Sequence, residues 1–395
     1  MDKSGTGQPR PGAPDLSCAK VPTPSRRRVL AMAGAAAVIP AIVPRSASAQ
    51  TLPSYYPADY GKIIDASKQE TSLLIYSVLA QYNWAPVIAD FNKLYPWIKI
   101  STLDLGGEEV FQRYYADRGS GSATGAILLT PAVETWMDFV KRGNLVPYVS
   151  PESPHLPDWS KAYPGLYTVS ADPLVMVYNK LLLPEGKRPR GLKHLAELAQ
   201  ANPRDFRNGI TSYDPINSTS ARDLYLVYQN RYGDEVFKWL EMIAPAMRPE
   251  VSAGPMLQKL GAGEYKAAYF ASGVVVFPKM KDTAMQKIMD WTFMEDGQPL
   301  WIRPVGIPKD GSSPNSARLM VDFIVSHAGQ AAFGRGGLTP YRADVRKEEV
   351  ANYTMASIAE AVGGEKNLMI IGFDPELRKR AEEFNPRWKK IMQKN

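Results

Sequence analysis

The strongest constraint on this chain is a rhythm that starts at residue 72, where short apolar runs begin to alternate with amphipathic segments. Leu73-Leu74-Ile75-Tyr76-Ser77 reads as a buried strand. Pro86 to Tyr95 reads as a helix, with Val87, Phe91 and Leu94 on one face and Pro86 in its first turn. Trp97 to Ser101 is the next strand and Glu108 to Arg118 the next helix. Ala126 to Thr130 follows as a strand, then Val133 to Arg142 as a helix ended at Gly143. This β-α-β-α-β order predicts a doubly wound, largely parallel sheet.

A loop rich in Pro, Ser and Tyr (146–164) interrupts the rhythm. Beyond it the pattern predicts strands at Pro173–Tyr178, Gly209–Thr211, Tyr265–Phe270, Val274–Phe277 and Trp301–Ile307. Helices are expected at 192–200, 219–231, 234–243, 255–260, 315–326 and 328–333. Two α/β lobes follow, the second inserted in the first. Residues 50–170 with 300–345 form one; residues 171–299 with 346–395 form the other.

The first 49 residues have a different character. A basic stretch (Ser25-Arg26-Arg27-Arg28) precedes an apolar run from Val29 to Val43, and Ala47-Ser48-Ala49 is the small-x-small pattern of a signal-peptidase site. The run is shorter than the ~20 residues needed to span a bilayer. Paired arginines before a mildly apolar run, with Arg45 just ahead of the cut, point to twin-arginine export to the periplasm. Most of the charge lies here too. Residues 1–49 hold seven Lys/Arg and two Asp/Glu, whereas the other 346 hold 40 and 38. A nearly neutral body removes the case for nucleic-acid binding. The sole cysteine, Cys18, lies in the discarded part, which excludes disulfides and thiolate chemistry from the mature chain. No later segment approaches 18 consecutive apolar residues, so a soluble body is expected.

Catalytic and metal patterns are missing. His155, His194 and His327 have no partner at ligand spacing, and no phosphate-cradling GxxxxGK[ST], HExxH or GxSxG motif occurs. No metal site, cofactor or catalytic residue is therefore expected. Binding features are better represented. Ser77 and Thr130 end strands where ligands of doubly wound sheets gather. Asp214-Pro215-Ile216-Asn217-Ser218-Thr219-Ser220 precedes a helix; one hydroxyl suffices for a cap, which leaves two of Ser218, Thr219 and Ser220 unexplained. Tyr269, at a strand end before Ser272-Gly273, is placed in a cleft. These eight positions, Asp214 and Ser272 included, are the candidate ligand contacts.

At this point the chain resembles the periplasmic solute-binding proteins of ABC importers. The likeness is closest to the branch that takes iron(III), thiamine, polyamines, sugar phosphates and aminoalkylphosphonates. It runs through Leu74-Ile75-Tyr76-Ser77, Phe91 to Ile100, Gly143 to Tyr148, Val177-Tyr178-Asn179-Lys180, Gly263-Glu264, Pro304 to Pro308, Phe323 to Gln330 and Leu338 to Val345. The resemblance implies a type II periplasmic-binding-protein fold: two doubly wound α/β lobes joined by crossing hinge strands, with one ligand between them. It also implies a monomeric receptor that hands a small molecule to an inner-membrane ABC permease.

Iron carriers of this branch place two adjacent tyrosines shortly after the Gly-Glu pair; here Tyr269 is followed by Phe270 and Ala271. The family's Asp-Val pair at the third strand is replaced by Leu129-Thr130, which argues against a polyamine. The Ser218–Ser220 loop resembles the one that holds a phosphonate, phosphate or carboxylate. Arg113, Arg222 and Arg303 are candidate counter-charges. A non-enzymatic receptor for a small organic anion is the leading expectation. A ferric carrier, a secreted enzyme on this scaffold and a sensor partner are the alternatives.

Overall fold

A computed structural model describes residues 52–393. The export signal expected over residues 1–49 lies outside the described residues. In the first half, the expected rhythm yields β1 (Ser72–Ser77), β2 (Lys99–Asp104) and β3 (Ile127–Leu129), with β1 parallel to both neighbours. Side chains alternate across such a sheet. Ile75, Ile127 and Leu129 enter one hydrophobic cluster with Trp84, Phe91 and Phe333. Tyr76 and Leu128 enter another with Phe111, Trp136 and Phe139. Helices cover both faces, which is why these strands read as unbroken apolar runs.

The remaining strands are β4 (Leu166–Asn179), β5 (Ile210–Thr211), β6 (Ala267–Ser272), β7 (Met289–Thr292), β8 (Gln298–Gly306) and β9 (Leu368–Ile371). The sheet order is β2-β1-β3-β8-β4-β6-β5, with β7 on β4 and β9 on β8. β4 and β8 are the crossing strands. They run antiparallel from Leu166 to Pro173, and β8 ends on β3 in the first lobe. Past Pro173, β4 pairs instead with β6 and β7 of the second lobe. The second lobe has its own core, which includes Leu195, Phe206, Leu224, Tyr225, Leu240, Met256 and Tyr269. The chain after 346 divides: Ile358 joins the first core, while Met369, Phe384, Trp388 and Ile391 join the second.

Several elements differ from the sequence reading. Val274–Phe277 is not a strand but part of the helix Gly273–Lys279. Three β-branched valines favour a strand locally, yet β6 ends at Ser272 against Leu174 of β4. Gly273 lets the chain turn there: a Cβ at this position would sit 2.9 Å from the Pro173 carbonyl oxygen and from the Phe277 ring. Pro86 is not in a first turn either, because its helix begins at Gln81. A C-terminal helix, Leu377–Gln393, was not anticipated.

Two register shifts mark β4. Between Thr168 and Ala171 it carries an extra residue against β8; between Val175 and Val177 the extra residue lies on β6. The second shift coincides with Phe270 at φ 61°. A bulky side chain in the left-handed region costs about 1–2 kcal/mol. Its burial among Tyr225, Tyr228 and Tyr269 offsets that cost. Among the described residues, no helix is long and apolar enough to cross a membrane.

Candidate functional site

The candidate residues sit at strand ends of the first lobe, at a helix start of the second, and in the middle of the crossing strands. At the end of β1, Ser77 is fully buried; its Oγ accepts from Leu79 N at 2.9 Å and Trp84 Nε1 at 3.1 Å. At the end of β3, Thr130 Oγ1 donates to the Gly107 carbonyl at 2.8 Å, and the Thr130 carbonyl accepts from Trp136 Nε1 at 3.0 Å. Both hydroxyls therefore shape loops of their own lobe. Thr130 fixes the turn that presents Glu108, whose two carboxylate oxygens accept from Thr135 Oγ1 at 2.7 Å and Thr219 Oγ1 at 2.6 Å.

In the second lobe, Asp214 closes a turn by accepting from Ile216 N at 2.9 Å and Asn217 Nδ2 at 2.6 Å. The turn delivers Ser218 to the N-cap of the helix Thr219–Tyr232, where its Oγ accepts from Ala221 N at 3.3 Å. The three consecutive hydroxyls thus divide. Ser218 caps, Thr219 reaches the other lobe, and Ser220 is buried with its carbonyl accepting from Trp301 Nε1 at 3.2 Å. The Ser220 hydroxyl is not the cap of its helix, a role taken by Ser218. Ser272 ends β6, buried, at the start of the helix that follows.

Tyr269 does not line a cleft. It is fully buried in the second core, with its hydroxyl 3.1 Å from that of Tyr225. The strand-end position misled because the bulge at Phe270 turns the chain between Tyr269 and Ser272.

The crossing strands carry a buried ion pair. Arg303 on β8 is 7% exposed, and its Nε donates to Asp172 Oδ2 on β4 at 2.5 Å. Asp172 also accepts from Ser170 Oγ at 2.7 Å and Thr339 N at 2.8 Å. The bond to Asp172 is made by Nε, so the two terminal nitrogens of Arg303 lie beyond it. Trp301, on the same face of β8, lies 5.4 Å from the Tyr213 ring. Burial pushes the Tyr213 phenol up to about 12, against the pull of the Arg303 charge. Arg222 pairs with Glu134 of the first lobe, and Arg378 holds Glu134 at 3.1 Å and Asp138 at 2.7 Å. Arg113 pairs with Asp117 of its own helix.

None of Asp172, Glu108, Glu134 and Trp301 stands out in the sequence as a binding residue. No local motif marks them, since each acts through a partner at least 80 residues away or on another strand. Among the described residues no three His, Asp or Glu side chains gather to hold a metal ion.

Residues 77–331 match the family model for bacterial extracellular solute-binding proteins. The chain belongs to that family. Solved structures give the same fold. The substrate-binding protein of an ABC transporter from Agrobacterium tumefaciens superposes with a TM-score of 0.72 at 16% identity, over 84% of this chain and 96% of that one. Iron-bound HitA from Pseudomonas aeruginosa gives 0.63 at 14%, over 81% and 99%. The apo ferric ion-binding protein A of Pasteurella haemolytica gives 0.60 at 15%, over 82% and 97%. No curated protein matches the chain in sequence. The fold is that of type II periplasmic binding proteins. Solute-binding proteins of this family are periplasmic or extracellular; in ABC importers they bind a small ligand and work with an inner-membrane permease.

Proposed function

We propose that this solute-binding protein captures a small organic anion bearing a phosphate, phosphonate or carboxylate group. Arg303 carries the reading. Its guanidinium is buried and held by Asp172 through Nε, and the edge formed by its two terminal nitrogens offers a pair of parallel N–H groups to a second oxyanion. A planar fork of this kind suits bidentate binding of an oxyanion. The 14-residue helix behind Ser218 supplies free N–H groups and the Ser220 hydroxyl from the opposite lobe. Thr219 and Ser272 complete the second-lobe edge, and Ser77 and Thr130 support the first-lobe edge from beneath. The acidic groups at the mouth do not oppose this, because Glu108 and Glu134 are already paired with hydroxyls and arginines.

The lobes comprise 50–170 with 300–345, and 171–299 with 346–395 apart from the stretch around Ile358, which packs into the first core. The protein reaches the periplasm by the twin-arginine route and acts there as a monomer that feeds a permease. A ferric cargo fits less well. It wants anionic oxygen donors, yet Tyr269 is bonded to Tyr225 in the core and the next position is Phe270.

Thermal melting against organophosphates, phosphonates and carboxylates tests the reading. An anion at 100-fold its dissociation constant should add about 2.7 kcal/mol of stability. Arg303→Lys, which keeps the charge and removes the fork, should weaken binding at least tenfold. If ferric salts alone shift the melting temperature, or if Arg303→Lys binds the anion unchanged, the reading is wrong.

A further inference from the structure

A second hollow, of about 170 Å³, lies between the helix Thr219–Tyr232 and the C-terminal run from Ile370 to Arg380. Its polar wall is Asp223 and Asn230 from the helix, with Asp374 and Arg380 facing them; Val227, Ile370 and Phe373 supply apolar wall. Asp223 is 1% exposed, and neither of its carboxylate oxygens has a hydrogen-bond partner. Arg380 does not complete it. That guanidinium is taken by Asp374, whose other oxygen accepts from Glu376 N, and the buried Arg380 Nε is itself without a partner.

The formal charge of the wall is therefore minus one: Asp223 and Asp374 against Arg380. The next groups outward balance, since Arg222 and Arg378 face Glu134 and Asp138. An ionised carboxylate buried without a counter-ion is strongly disfavoured. Burial accordingly pushes the Asp223 carboxyl up to about 7.

We propose that this hollow binds a small primary ammonium ion on a short alkyl stem, with Asp223 as its counter-ion. Two of the three N–H donors of an ammonium would meet the two unpartnered carboxylate oxygens, leaving the third for the other polar wall groups. The stem lies on Val227 and Ile370, and the Phe373 ring adds an attractive face for a cation. The volume is several times the ~30 Å³ of a water molecule, which suits a chain of a few carbons. A divalent metal fits poorly: it asks for six or more oxygens, and here Arg380 occupies one wall. The inference does not depend on what fills the cleft at Arg303.

Isothermal calorimetry with n-propylammonium chloride at pH 8, where Asp223 is mostly ionised, tests it against sodium chloride of equal ionic strength and against 1-propanol. Saturable binding of one propylammonium per chain is expected, weakened at least tenfold in Asp223→Asn and unchanged in Arg303→Lys. Asp223→Asn keeps the shape and removes an uncompensated charge, so it should fold, which its melting curve verifies. A crystal structure with propylammonium should place the nitrogen within hydrogen-bond distance of Asp223. Binding no stronger than sodium, binding retained in Asp223→Asn, or a hollow holding only water would overturn the proposal.

Discussion

Thr219 Oγ1 donates to Glu108 Oε1 at 2.6 Å, from the start of a second-lobe helix to a first-lobe loop. Together with the Arg222–Glu134 pair it joins the two lobes directly. Contacts between the lobes of this kind favour a closed arrangement, to which differential binding of a ligand adds.

Thr219→Val should remove this bond with little change of shape. A hydrogen bond to a charged group contributes roughly 1.5–3 kcal/mol, so the unliganded population should move toward open lobes by about tenfold or more. Spin labels at Lys93→Cys and Lys238→Cys would read the separation, since Cys18 is the only native cysteine and lies in the expected export segment. An unchanged distance distribution would mean that the contact does not hold the lobes.

Arg303→Ala should destabilise the fold by about 3–5 kcal/mol, because Asp172 is left as a buried charge with only Ser170 and Thr339 to bond it. Arg303→Ala combined with Asp172→Ala should recover much of that loss. Urea unfolding of the three proteins gives the comparison.

Ser77→Ala leaves Leu79 N–H and Trp84 Nε1–H without their acceptor inside the first core. A loss of about 1–3 kcal/mol is expected, with ligand affinity changed less than twofold. Loss of affinity without loss of stability would place Ser77 in the binding surface instead.

The contributions of Asp223 and Asp322 to stability should fall as the pH rises from about 4 to 8. Burial pushes Asp223 up to about 7 and Asp322 up to about 6, both above their unfolded value of 3.8. The folded chain keeps protons that the unfolded chain has released, so the stabilisation present below about pH 4 is lost as pH passes through those values. Asp223→Asn removes the larger share. The difference in unfolding free energy between this variant and the native chain should grow by on the order of 2–3 kcal/mol from pH 5 to pH 8.

Much of the architecture was legible because it is periodic. The runs around Ile75 and Ile127 are apolar on both faces since helices cover both faces, and the helix starts at residues 219 and 235 carry their signals locally. The Val274 run was misread because valine prefers strands, while the packing of Gly273 against Pro173 bends the backbone into a helix. The final helix was readable in the spacing of Leu377, Ala381, Phe384, Trp388 and Ile391, but charges and Pro386 interrupt it. The Ser218–Ser220 segment was found because a helix cap has a local signature. Asp172 and Arg303, 131 residues apart, have none. Their meeting is a property of β-pairing, which a single sequence does not print.

β4 and β8 carry both the Asp172–Arg303 pair and the connection between the lobes. With Arg303 as the proposed ligand contact and these strands as the proposed pivot, selectivity and swing share a backbone. A substitution that retunes the cargo at Arg303 also alters the stiffness of the joint, whereas changes at the Ser218–Ser220 rim leave the pivot alone. Diversification toward new solutes should accordingly begin at the rim and reach the pivot last.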